Sequence, residues 1–327
     1  MFTVPKIIRL CATLGVFGLL ILIIKPFTGE GNLEDSYPAK PIKFIVPFKP
    51  GGGSDRIARV LDKFTEEEFG SAFIFVYKPG GGGHLGLRFL ANSKADGYLL
   101  ATYNTPDLAL GHMTGIANYK LEDLTILGQV AFDPNVFATS KESPFNSMRE
   151  FLDEAKRQPG KLRLGISQPK GGNHLATLAM LEEQGIDVSV VIFSGGTEMA
   201  SAVLGKQVDA GIGGLAPFLG SMEQTKFLAV SGDKRMSKIP DVPTMIEQGI
   251  PMNSGTGRVF LAPAGMEAFK VERLKRGLEN IFNNKDFQEE LKKVGNAPDW
   301  MSGDEVTSYL KDFSIKAEQV LERTGLN

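Results

Sequence analysis

From Pro41 onward, short apolar runs alternate with helical hydrophobic stripes, the signature of βαβ units around largely parallel sheets. The runs predict strands at 43–48, 73–77, 98–104, 124–132, 162–167, 188–193, 208–213, 226–231 and 259–262. Between them, Ile57, Val60, Leu61 and Phe64 follow the spacing i, i+3, i+4, i+7, and so do Met148, Phe151, Leu152 and Ala155. Each set marks the buried face of a helix. Ser147 followed by Glu150 is a capping box at the start of the second of these helices, and Pro159-Gly160 ends it. After Pro263 the pattern is purely helical through Leu274, Leu278, Ile281, Leu291, Tyr309, Phe313 and Val320. A lone doubly wound domain needs only about six strands. The surplus predicts two α/β lobes, with the last helices packed back onto one of them.

The length of 327 residues agrees with that division, because single hydrophobic cores stop growing at about 250–300 residues. Hydrophobic residues make up 42% and charged residues 23%, the balance of a soluble globular chain rather than a disordered or polytopic one. There are 36 basic and 38 acidic residues, and setting aside Lys6, Arg9 and Lys25 of the N-terminal segment leaves a formal −5 for the remainder. That excludes a broad basic face for nucleic acid. An anionic ligand would have to be held by a few local groups and oriented backbone dipoles.

The N-terminus has the pattern of an export signal: Lys6 and Arg9, an apolar run over 10–24, then Lys25 and Pro26. As a helix the run reaches roughly 22 Å, short of a bilayer core of about 30 Å, which favours a signal over a span. No small-x-small cleavage site follows Ile24, so an uncleaved anchor is the alternative. Residues 1–25 are therefore read as signal peptide or anchor and 26–36 as a polar linker. The sole cysteine, Cys11, opens the apolar run, where a lipid-attachment cysteine does not belong. Beyond it the chain has no thiol for catalysis or for a disulfide.

Four predicted strands run into glycine-rich corners. Strand 43–48 passes through Lys49-Pro50-Gly51-Gly52-Gly53-Ser54-Asp55 into a helix. Glycines let a ligand approach the main chain, and a helix start presents unpaired N–H groups with partial positive charge, so the matching partner is an anion. The blander alternative is a tight turn capped by Ser54 or Asp55. The other corners are Pro79-Gly80-Gly81-Gly82-Gly83-His84-Leu85-Gly86, Gln168-Pro169-Lys170-Gly171-Gly172-Asn173-His174 and Ser194-Gly195-Gly196-Thr197. All lie at the carboxyl ends of strands, where open α/β sheets hold ligands. With neither a Walker lysine pattern nor a G-x-G-x-x-G at a helix start, a nucleotide site is not supported.

These residues also resemble a known family. Tyr37-Pro38-Ala39-Lys40-Pro41-Ile42, Ile45-Val46-Pro47-Phe48, Pro50-Gly51-Gly52-Gly53 and Asp55 are similar to the opening of the Bug (TctC-like) receptors of tripartite tricarboxylate transporters. The likeness continues through Pro79-Gly80 with Gly82-Gly83, Ala95-Asp96-Gly97-Tyr98, Pro159-Gly160-Lys161-Leu162, Gly205 with Gln207-Val208-Asp209, and Leu228-Ala229-Val230. Pro240-Asp241-Val242-Pro243-Thr244 and Ala262-Pro263-Ala264-Gly265 complete it, so it covers nearly everything after the linker.

The resemblance implies a type II periplasmic-binding-protein fold, two α/β lobes joined by two crossing strands with a ligand cleft between them. Lobe 1 is expected at 37–138 plus 262–327 and lobe 2 at 139–261. It further implies a monomeric periplasmic receptor, without cofactor, that captures a small carboxylate and delivers it to the large and small membrane subunits of the transporter. The expected ligand-binding residues are Pro47, Phe48, Gly51, Gly52, Gly53, Ser54 and Asp55 at the first loop, with Asn104 and Thr105 at a neighbouring strand end. In lobe 2 they are Ser167, Gln168, Lys170, Gly171, Gly172, Asn173 and His174, with Phe193, Ser194, Gly195 and Gly196.

The chain departs from the family pattern at several positions. Phe193-Ser194 stands where such receptors often have Tyr-Lys, losing a hydroxyl and a cation, while Lys49 and Lys170 add ammonium groups and Arg258 replaces a frequent aromatic. Lys170 or Arg258 is a candidate to neutralise a second carboxylate; the alternative is a solvated surface cation. A sensory receptor presenting its ligand to a two-component kinase shares every feature above. A serine hydrolase is a remote alternative: Gly165-Ile166-Ser167-Gln168-Pro169 nearly forms a nucleophile elbow, but Pro169 replaces the final glycine. Only His84, His112 and His174 exist to serve as a base, and no HExxH, paired cysteines or aspartate-rich loop offers a metal site.

Overall fold

The computed structural model describes residues 37–167 and 169–324. The predicted export segment, the linker and Gln168 lie outside the described residues. In chain order, β1 (Lys43–Val46), α1 (Gly53–Phe69), β2 (Ile74–Tyr77), α2 (His84–Ala91), β3 (Leu99–Thr105) and α3 (Asp107–Met113) lead into β4 (Leu124–Ser140). Then come α4 (Met148–Arg157), β5 (Arg163–Ser167), α5 (Gly172–Glu183), β6 (Ser189–Phe193), α6 (Gly196–Leu204), β7 (Ala210–Gly214) and β8 (Thr225–Val230). The chain returns through β9 (Gly255–Pro263) to α7 (Ala268–Asn283), α8 (Lys285–Lys293), β10 (Ala297–Ser302) and α9 (Gly303–Thr324). All the predicted strands are present. No helix of the described residues is long and apolar enough to cross a membrane.

Two sheets share one strand. β2, β1 and β3 pair in parallel, β9 adds antiparallel to β3, and β4 adds to β9. On the other side β6, β5 and β7 pair in parallel, and β7 and β8 both pair antiparallel with β4. β4 is 17 residues long and serves both sheets: it pairs with β9 as far as Pro134↔Gly255, then with β7 from Asn135↔Gly214. Pro134 has no N–H to give a ladder, and the exchange of partners follows it directly. We propose the lobe boundary at this exchange, with lobe 1 as 37–134 plus 255–324 and lobe 2 as 135–254, a few residues before the 139 and 262 of the family pattern.

Strand alternation distributes the core to both faces of each sheet. In lobe 1, Phe44 and Val46 pack with Ile57, Leu61, Phe260 and Leu278, while Ile45 packs on the opposite face with Leu87, Tyr103, Leu261 and Leu310. In lobe 2, Phe137 joins Phe151, Leu164 and Leu228, while its neighbours Val136 and Ala138 join Met199, Val203 and Val230. The predicted stripe Met148, Phe151, Leu152 and Ala155 is fully buried. A separate apolar cluster of Leu110 on α3, Leu175 on α5 and Ala317 and Leu321 on α9 fastens the two lobes together at one side.

The C-terminal region is not purely helical. β10 interrupts it and pairs antiparallel with β4, with an irregularity between Pro298 and Met301. Its sequence, Ala297-Pro298-Asp299-Trp300-Met301-Ser302, shows no alternation, because its side chains are only half-buried and the pairing is local to one edge.

Candidate functional site

The first glycine corner is held by its own acid. Asp55 accepts hydrogen bonds from the Gly51 N–H at 2.9 Å, from Arg59 at 3.0 Å and from the Tyr77 hydroxyl at 2.6 Å. Burial alone would raise its pKa, but the bonds from Tyr77, Gly51 and Arg59 outweigh this and hold the carboxyl below its ordinary value. The side chain of Asp55 is thus bound into the loop. Gly52 precedes α1 and supplies no side-chain cap, so the first amides of a 17-residue helix stay bare beside the cleft.

Arg258 lies against Gly53 at the start of α1. A Cβ built on Gly53 would come within 2.7 Å of its Nη2, so only glycine allows the guanidinium to seat there. Arg258, on β9, is 7% exposed. Its Nη1 donates to the Asn104 Oδ1 at 2.7 Å and its Nη2 to the Asp133 Oδ2 at 3.0 Å. Burial holds the Asp133 carboxyl above its ordinary pKa, against the opposing pull of the Arg258 guanidinium and of the Leu215 backbone N–H. Among the described residues, the Arg258 Nε and the Asp133 Oδ1 are buried without a hydrogen-bond partner. Buried polar groups ordinarily have one, so this ion pair carries one unsatisfied donor and one unsatisfied acceptor.

The lobe 2 corner faces this arrangement. Ser167 ends β5, Lys170 takes a left-handed backbone conformation with φ of 57°, and Gly171 precedes α5 without a side-chain cap. His174 is buried and its Nδ1 accepts the Lys170 N–H at 3.1 Å, with burial lowering its pKa. Asn173 donates to the Ile212 carbonyl at 2.7 Å and accepts from Asn135 of the crossing strand at 3.0 Å. The Gly172 N–H at the start of α5 donates to the Asp107 Oδ1 of lobe 1 at 2.8 Å. The first and third corners are therefore linked by Arg258, which packs against Gly53, and by the hydrogen bonds that run from it through Asn104 and Asp107 to Gly172.

Thr105, Phe48, Pro47, Phe193 and Ser194 each engage a partner within their own lobe. Thr105 donates to Gln129 in the core at 3.0 Å. Phe48 stacks on Tyr103 with ring centroids 6.0 Å apart, and Pro47 packs beneath Gly86, so both support the second corner. That corner is a packing joint, in which His84 engages Tyr119 at Nδ1 (3.0 Å) and Tyr103 at Nε2 (3.1 Å). At the fourth corner Phe193 packs inside lobe 2, Ser194 donates to Glu198 at 2.5 Å, and Gly195 and Gly196 open α6. Glu198 reaches across the rim to Lys49 at 3.6 Å, linking the fourth corner to the first. Among the described residues Ser167 has no histidine partner.

Sequence reasoning missed Asp107, Asp133 and Asn135. Asp133 had a signal: a charge beside Pro134 directly after the apolar stretch Val130-Ala131-Phe132, buried at 1%. A concavity of 850 Å³ lined by Glu142, Phe145, Leu162 and Lys206 lies at the amino ends of β5 and β7. Open α/β sheets hold ligands at the opposite, carboxyl ends, which is where the glycine corners after β1, β2, β5 and β6 lie.

The family model of the tripartite tricarboxylate transporter family receptor, TctC, matches residues 57–326. Protein BugT of Bordetella pertussis (strain Tohama I) is 28% identical over 323 residues, covering 97% of this chain and 98% of BugT. A solved periplasmic transporter is 25% identical, with a TM-score of 0.80, covering 89% of this chain and 99% of the other. R. palustris Rpa4515, solved with adipate, shares the fold at 22% identity and a TM-score of 0.81, covering 88% of this chain and 98% of its own. A strand shared by two lobes, glycine corners at the carboxyl ends of parallel strands and a family match over most of the chain lead to one conclusion: the chain belongs to the tripartite tricarboxylate transporter family of receptors, periplasmic solute-binding proteins rather than enzymes.

Proposed function

We propose that this receptor holds the acid group of a small carboxylate at the bare amides of α1 beside Arg258, and delivers the closed complex to the large and small membrane subunits of a tripartite tricarboxylate transporter. The observation that carries the site is the buried Arg258 guanidinium laid over Gly53. The α1 amides and the guanidinium both attract an anion there, with part of the guanidinium charge offset by Asp133 and the charge of the remaining chain opposed to an anion. Each charge-assisted contact is worth roughly 1.5–3 kcal/mol, so a few reach about −8 kcal/mol, or micromolar affinity. A carboxylate ligand is also supported by Rpa4515, a protein of the same fold that carries adipate. Open lobes sample closure, and a ligand touching both favours the closed form through its differential contacts.

The test is a thermal-shift panel of acetate, succinate, malate, adipate and citrate, followed by calorimetry on any acid that stabilises the protein. At least one acid raises the melting temperature. Gly53→Ala, which displaces the guanidinium, weakens that acid about tenfold or more while the unliganded protein stays folded. An unchanged affinity in Gly53→Ala would remove the α1 corner from the site, and a silent panel would remove the carboxylate.

A further inference from the structure

We propose that Asp107 is a specificity-determining residue: its carboxylate occupies the anion-binding corner of lobe 2, so the cleft accepts a ligand acid group at the lobe 1 end and rejects a second one at the lobe 2 end. The inference rests on the carboxylate reading of the cleft given above.

Asp107 belongs to lobe 1 and reaches across the cleft. Its Oδ1 accepts the Gly172 N–H of α5 at 2.8 Å, and its Oδ2 accepts the Asn104 Nδ2 at 3.2 Å. The residue is 6% exposed. Pro106 beside it presses on the same turn, where a Cβ on Gly172 would come within 2.5 Å of the proline ring. The aspartate is therefore not one rotamer among several but a side chain held from both lobes. The two corners are inequivalent as a result. The α1 corner keeps bare amides and a buried guanidinium with an unpartnered Nε, and its own carboxylates, Asp55 and Asp133, are each paired with a guanidinium, Arg59 and Arg258. The α5 corner already has a carboxylate on its amide, and a second carboxylate there meets both a filled donor and a like charge. A hydroxyl, an amide or an ammonium group suffers neither penalty.

The experiment has two arms. The first is chemical rescue: Asp107→Ala frees the α5 amide, and formate is small enough to take the place of the lost carboxylate. Formate raises the melting temperature of Asp107→Ala more than that of the wild-type protein; equal shifts would overturn the occupancy claim without involving any physiological ligand. The second arm compares matched pairs by calorimetry, succinate with succinamate and glutarate with glutaramate. The wild-type protein prefers the monoamide, and Asp107→Asn, which keeps the shape and removes the charge, gains about tenfold or more for the diacid. An unchanged diacid-to-monoamide ratio in Asp107→Asn would overturn the specificity role even where Asp107→Ala fails to fold. If neither member of any pair binds either protein, the carboxylate reading itself fails, and this inference with it.

Discussion

At the scale of single residues, the histidines separate function from packing. Tyr103 donates to the Gly82 carbonyl at 2.8 Å, so its oxygen takes the Nε2–H of His84, and the Nδ1 of His84 takes the Tyr119 hydroxyl proton. The ring is neutral, and burial, aided by the nearby His112, pushes its pKa down to about 4 from the ordinary 6.5. The unfolded chain therefore binds a proton that the folded one refuses between those values. The contribution is complete above pH 6.5 and falls by about 3 kcal/mol as the pH drops to 4. Unfolding midpoints measured from pH 7 to 4.5 should fall more steeply for the wild-type protein than for His84→Gln; parallel curves would show that His84 is not the group responsible. A glycine corner reads the same in sequence whether it admits a ligand or a tyrosine.

At the scale of elements, local chemistry decides most of what is seen. α4 begins where Ser147 accepts the Glu150 N–H at 3.0 Å. The returning half of the box is shifted by one residue, since the Glu150 carboxylate accepts the Asn146 N–H at 2.7 Å rather than that of Ser147. Ser147→Ala should cost about 1 kcal/mol of unfolding free energy in urea titrations with little change in slope. A loss near zero would mean that the Glu150 bond to Asn146 sustains the cap alone. β10 is the counterexample. Its residues have neither alternation nor β-branching, and it exists as a strand because β4 presents a free edge to it. Element identity of that kind is conferred by the neighbour.

At the scale of the molecule, the contacts that join the lobes include the apolar cluster around Leu175, the buried polar chain from Arg258 to Gly172, and the ion pair of Lys49 with Glu198 at the rim. The last joins side chains that are 80% and 50% exposed, where solvent screens the attraction. Lys49→Ala should therefore change ligand affinity only a few-fold at low salt and not at all at high salt; a large, salt-resistant loss would make Lys49 a ligand contact. The strands, the helix stripes and the glycine corners were legible from the chain alone, because hydrophobic period, capping and glycine or proline geometry are properties of a few adjacent residues. Those same signals could not say which corners meet. Arg258 bonds to Asn104 across 154 positions and to Asp133 across 125, and Asp107 to Gly172 across 65. Such pairs depend on antiparallel register and on the docking of two lobes. Both are set by the burial of whole surfaces, and no short window of sequence encodes them.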